Sequence, residues 1–142
     1  RLDGWIQEAV EGGAKLLVGG KRDGAMLEAT LLEGVDRAAT VYREEAFGPV
    51  AILSKFTDFD AALDEVNDSK FGLQAGIFTA SLASAFRAAR ELRFGTVLVN
   101  EVPTWRADQM PYGGVRESGN TKEGPTYAVQ QMTEERLVVI QP

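Results

Sequence analysis

Apolar residues recur at i, i+3, i+4, i+7 and i+8 from the start of the chain, as Leu2, Trp5, Ile6, Ala9 and Val10. That spacing predicts an amphipathic helix. It is already running at the first residue, with no initiator Met and no clear cap before it, so the chain reads as cut from something longer. Gly12 and Gly13 supply its stop. Shorter apolar runs follow. "KLLVGG" predicts a strand running into a turn, and "KRDGAM" a second turn on Asp23-Gly24. "MLEATLL" suits a strand, and "VAILSKF" (Val50 to Phe56) suits one better.

Beyond Phe56 the pattern becomes regular. Thr57 or Asp58 caps a helix whose stripe is Phe59, Ala62, Leu63 and Val66. "QAGIFT" follows Gly72 as a strand. Ser81 caps a further helix with Leu82, Ala85, Phe86, Ala89 and Leu92 on one face, and Gly95 ends it. "TVLVN" is a continuous apolar run, as expected for a strand buried on both faces. Strand, helix, strand, helix, strand with right-handed crossovers implies an α/β fold with a parallel sheet and helices packed on it.

After Asn100 the periodicity stops. "EVPTWRADQMPYGGVRESGNTKEGP" is punctuated by Pro103, Pro111, Gly113, Gly114 and Gly119. A loop of this length in a compact domain is functional or disordered, and its aromatics Trp105 and Tyr112 argue against disorder. Pro125 opens a short helix through Met132, and "RLVVI" suits a last strand.

Composition narrows the chemistry. The 142 residues suit one domain with a core. No apolar run approaches a membrane span, and no stretch resembles a signal peptide. A net charge of -6 disfavours nucleic acid and anionic membranes, which want a clustered positive face. Zero Cys excludes disulfides, thiolate metal sites and a thiol nucleophile within the chain, and fits a cytoplasmic protein. Zero His removes the commonest general base and metal ligand. Any enzyme that includes this chain takes part of its machinery from elsewhere.

Three constellations remain. In "EEAFGPV", a carboxylate from Glu44 or Glu45 could accept two hydrogen bonds from a ribose diol, and Phe47 could lie against a flat heterocycle. Spacing alone favours the plainer reading, with solvated carboxylates and a core ring. "PYGG" could bring backbone close to a ligand or be an ordinary turn. Trp105 with Arg106 could line an anion pocket, although an exposed Arg is common.

Taken together and in order, "EEAFGPVAILSKF", "NDSKFGLQAGIFT", "GTVLVN", "MPYGGVRESG" and "KEGPTYAVQQMTEERLVVI" resemble the C-terminal part of the catalytic domain of the NAD(P)-dependent aldehyde dehydrogenase superfamily. The resemblance runs from the helix at Trp5 to the last strand. It implies a three-layer open sheet, mostly parallel, with residues 1–133 in the catalytic domain and 134–142 as a strand of the oligomerisation region. It places the nicotinamide ribose hydroxyls on Glu45 and the nicotinamide ring against Phe47. Trp105, Arg106 and Tyr112 would face the aldehyde. Glu123 falls on the Glu of the family's "G-R-E" motif, with a supporting or proton-relay role. The family's "S-G-x-G-R-E" reads "SGNTKE" here, and Lys122 cannot reproduce the bidentate contact of an Arg.

The resemblance implies NAD or NADP as cofactor, an aldehyde as substrate, the rest of a parent chain as partner, and a homo-oligomer (dimer or tetramer). The family's nucleophilic Cys, general-base Glu and oxyanion Asn lie upstream of residue 1, so the chain alone is expected to be inert. A stand-alone binding or interaction module that keeps the fold without the chemistry is the competing expectation. Arg106 suggests an aldehyde carrying a carboxylate, phosphate or phosphonate.

Overall fold

The computed structural model describes all 142 residues, which form two compact units, Arg1–Phe59 and Asp60–Pro142. In the first unit, α1 (Leu2–Glu11) buries Ile6 and Ala9 from its apolar stripe. Its end is closed by a pair of crossed hydrogen bonds. The Ala14 N–H donates to the Ala9 carbonyl at 2.9 Å and the Gly13 N–H to the Val10 carbonyl at 3.0 Å. This closure needs a left-handed residue, and Gly13 supplies it at φ +101°.

Three strands make the main sheet of this unit, β1 (Lys15–Val18), β4 (Thr30–Glu33) and β5 (Val50–Leu53), in the order β1-β4-β5. The β1–β4 pair is antiparallel and the β4–β5 pair parallel. Between β1 and β4, β2 (Arg22–Asp23) and β3 (Met26–Leu27) form a small antiparallel hairpin. In β4, Thr30 and Leu32 are buried while Leu31 and Glu33 are half-buried, the alternation of a strand covered on one face. The core gathers Ile6, Ala9, Ala14, Leu32, Val35, Ala39 and Val41, with Leu32 wholly inaccessible. Thr30 is the buried polar residue, and its hydroxyl is satisfied. It accepts from the Gly20 N–H at 3.0 Å and donates to the Glu28 carbonyl at 2.8 Å.

The second unit contains one β-α-β crossover. Strand β6 (Gln74–Ile77) leads into α4 (Leu82–Glu91) and back into β7 (Thr96–Val99), which pairs with β6 in parallel. Ser81 caps α4, its hydroxyl accepting from the Ser84 N–H at 3.2 Å. Helix α3 (Phe59–Asn67) precedes this crossover, and α5 (Pro125–Met132) follows the long loop with Pro125 in its first turn.

Several expectations change. The chain builds three small sheets, two of its strand pairs parallel and two antiparallel, in place of one open and mostly parallel sheet. "MLEATLL" is not one strand, because Glu28 and Ala29 turn the chain from β3 into β4. The strand expected over Val50 to Phe56 ends at Leu53, where the ladder to β4 ends. β7 is not buried on both faces: Leu98 is buried, but Val99 is exposed. On α4 the buried residues are Ala85 and Ala88, while Leu82 and Phe86 lie in solvent. "RLVVI" forms no strand, since it finds no partner backbone in the chain. Leu137, Val138, Val139 and Ile140 are 69–88% exposed there. The sequence reading also missed a short helix, α2 (Thr40–Arg43).

Candidate functional site

The "EEAFGPV" turn runs from the end of α2 to the start of β5. The Glu44 N–H donates to the Thr40 carbonyl at 2.9 Å, which closes α2. At the other end the Pro49 carbonyl accepts from the Thr30 N–H at 2.8 Å, and the next pair, Thr30 with Val50, begins the parallel ladder. Between these anchors Ala46 packs against the core, while Phe47 is 81% exposed and Glu45 is exposed. The plainer reading of Phe47 as a core ring therefore fails, because Ala46 takes the inward position. Gly48 lies so close to Leu2 that a Cβ there would overlap the Leu2 Cδ1. A carboxylate and an uncovered ring two residues apart, on a turn pinned at both ends, fit a ribose diol and a flat heterocycle.

The other four predicted site residues belong to the second unit, where the structure brings three of them together. Arg106 Nη1 lies 3.1 Å from Glu123 Oε2, and the guanidinium sits 4.4 Å from the centre of the Tyr112 ring. Tyr112 and Glu123 also pair through their backbones, Glu123 N–H to the Tyr112 carbonyl at 2.6 Å and Tyr112 N–H to the Glu123 carbonyl at 3.2 Å. Cation–π contact, ion pair and two-residue ladder thus hold one small cluster. Trp105 is nearly half exposed, and its carbonyl accepts from the Gln74 side chain at 3.3 Å.

The glycines of "PYGG" serve close backbone packing. A Cβ on Gly95 would overlap the Gly113 carbonyl oxygen, and one on Gly113 would overlap the Thr121 carbonyl oxygen. Lys122 does not reproduce an Arg fork. Its ammonium donates to the Gly113 carbonyl at 2.9 Å and the Gly114 carbonyl at 3.3 Å, so it ties the Glu123 segment to the same turn.

Arg116 was missed in the sequence. It adopts φ +58°, and its guanidinium donates to the Asn67 carbonyl at 3.0 Å, the Arg93 carbonyl at 2.6 Å and the Ser69 carbonyl. It also lies over Phe94. One side chain thereby joins the end of α3, the turn before β7 and the loop after Gly114. All three acceptors are backbone carbonyls, which no side-chain pattern announces.

In the first unit, Lys55 and Lys15 face Glu33 at 2.6 and 3.9 Å. The hydrogen bond and charge of Lys55 hold the Glu33 carboxyl below its ordinary range, and the same contact raises the Lys55 ammonium. In the second, Arg87 bridges Asp60 and Glu91.

These elements are those of a mixed α/β protein with small sheets, and their order matches a known family. The aldehyde dehydrogenase family model matches residues 1–138. The chain belongs to that family. It is 49% identical over 140 residues to the 3-sulfolactaldehyde dehydrogenase of Priestia aryabhattai, across 99% of this chain and 29% of that protein. Among solved structures, aldehyde dehydrogenase 21 of Physcomitrella patens, in complex with its reaction product succinate, is 45% identical with a TM-score of 0.92, over 94% of this chain and 28% of that one. The glyceraldehyde-3-phosphate dehydrogenase GapN of Methanocaldococcus jannaschii, complexed with NADP, is 37% identical with a TM-score of 0.87, over 92% and 28%. The chain thus spans under a third of the length of each of these relatives.

Proposed function

We propose that residues 1–133 are the C-terminal part of the catalytic domain of an NAD- or NADP-dependent aldehyde dehydrogenase, and that residues 134–142 are a strand of its oligomerisation region. The observation that carries this reading is the exposed Phe47 beside Glu45 on a turn anchored at both ends. Glu45 accepts hydrogen bonds from the nicotinamide ribose, and Phe47 bears on the ring. Together they fix the ring's distance from the reacting carbon. The bound dinucleotide supplies the hydride acceptor. The parent enzyme oxidises its aldehyde to a carboxylic acid through a thioester on a cysteine that lies outside these residues, since none is present here.

Trp105, Arg106 and Tyr112 line the aldehyde entrance, with Glu123 in support. Arg106 binds an anionic group on the substrate. Three of the relatives agree with that choice, one named for 3-sulfolactaldehyde, one holding succinate and one named for glyceraldehyde 3-phosphate, whereas others are named for the uncharged lactaldehyde. The uncovered Leu137–Ile140 segment supports assembly as a homo-oligomer, dimer or tetramer. No helix is long and apolar enough to cross a membrane.

The test is steady-state kinetics of the full-length enzyme. Glu45→Gln should raise KM for the dinucleotide about 10- to 100-fold, the worth of a hydrogen bond to a charged group. It should leave KM for the aldehyde nearly unchanged. Arg106→Ala should raise KM for an anionic aldehyde far more than for a neutral one. Equal effects on both aldehydes would remove the anion assignment, and an unaltered dinucleotide KM would remove the ribose clamp. The isolated 142-residue chain should show no aldehyde-dependent reduction of NAD or NADP, and turnover by it would overturn the fragment reading.

A further inference from the structure

We infer that Glu123 is a specificity-determining residue, an internal anion that occupies the Arg106 guanidinium until the anionic group of the substrate displaces it. The inference rests on the reading of Arg106 as the substrate's anion partner and deepens it. Three observations carry it. The Glu123 carboxylate already holds Arg106 Nη1 at 3.1 Å. The Tyr112 ring, 4.4 Å from the guanidinium, lies on one face and the Glu123 carboxylate takes Nη1, so an incoming anion competes with Glu123 for the charge. The Glu123 backbone is fixed to Tyr112 by two hydrogen bonds, so its side chain can swing away while the backbone stays in place.

Both partners of the pair are partly solvated, which keeps it weak enough to exchange. Lys122 does not neutralise the released carboxylate by moving onto it, because its ammonium is engaged by the Gly113 and Gly114 carbonyls. Binding therefore exchanges one anion for another on a single guanidinium. Neutral aldehydes leave the pair closed. Strong anions, such as sulfonates and phosphates, open it and free Glu123 at the mouth of the site.

The experiment measures the Kd of sulfoacetate, an unreactive anion, by calorimetry on the full-length protein. Four forms are compared: wild type, Glu123→Gln, Arg106→Ala and the double variant. Removing the competing charge should tighten sulfoacetate about 2- to 5-fold in Glu123→Gln, the range of exposed ion pairs. The double variant should bind no better than Arg106→Ala. Should Glu123→Gln fail to fold, Glu123→Asp replaces it. Its shorter side chain loosens the 3.1 Å contact and should give a smaller tightening in the same direction. If Arg106→Ala weakens sulfoacetate but neither Glu123 variant tightens it, the inference is overturned and the anion reading of Arg106 stands. If Arg106→Ala leaves the Kd unchanged, the anion reading itself falls, and the inference with it.

Discussion

Two residues of similar bulk make opposite demands on the molecule. Leu32 is wholly inaccessible in β4, and Phe47 stands almost bare three residues before the first residue of β5. Leu32→Ala leaves a cavity and should cost about 2–5 kcal/mol of stability, measured by denaturant unfolding. Phe47→Ala removes a ring that packs on little, so stability should shift by no more than about 0.5 kcal/mol while KM for the dinucleotide rises. A large loss of stability in Phe47→Ala would mean the ring serves the fold. Gly95 presents a third situation. Any side chain there meets the Gly113 carbonyl oxygen, so Gly95→Ala should lower stability by about 1–3 kcal/mol, read as a fall in Tm. Because Gly113 follows Tyr112, the same substitution should also disturb the Arg106–Tyr112 contact.

Helices and strands differ in how far they can be read from sequence. The end of α1 and the starts of α4 and α5 follow from local signals, namely Gly12-Gly13, a serine cap at Ser81 and a proline at Pro125, whereas α4 stops at Glu91 with extended Leu92, short of the expected stop at Gly95. Ser81→Ala should therefore cost about 1 kcal/mol, checked by thermal unfolding, because the exposed start of α4 loses the acceptor for the Ser84 N–H. Strands depend on partners that lie far away in sequence. β5 stops at Leu53 where its pairing with β4 stops, and "RLVVI" has the right residues with nothing to pair with. The apolar stripe of α4 was legible, but not which part of it is covered. That depends on what α4 packs against, β7 included, and it is Ala85 and Ala88 that are buried. At the candidate site the residue types of Glu45, Phe47, Arg106, Tyr112 and Glu123 were visible in the motifs. The Arg106–Glu123 ion pair and the Arg116 anchor were not, since one joins residues 17 apart and the other ends on carbonyls.

At the scale of the whole molecule, charge sets how stability responds to pH. The Glu33 carboxyl is held low by Lys55, so its contribution is present above the ordinary glutamate value of 4.5 and is lost as pH falls below it. The Lys55 ammonium is raised, so its share is complete below 10.5 and is lost as pH climbs past its folded value. The pair therefore favours the folded first unit between these limits. Glu33→Gln should flatten the acid side of a plot of Tm against pH, and an unchanged acid limb would show that other carboxylates govern it.

The exposed tail after α5 has a further consequence, one of survival. A protease needs several residues of extended backbone, and residues 133–142 offer them with no regular structure to unwind. Arg136 lies in that stretch, next to Leu137. Brief trypsin treatment of the isolated chain should cut there before Lys15 in β1 or Arg87 in α4, elements that must first open. In the full-length protein the same bond should resist if residues 134–142 dock as the proposed strand of the oligomerisation region. The lifetime of the Arg136–Leu137 bond under trypsin then becomes a clock for assembly, readable by mass spectrometry without substrate or cofactor.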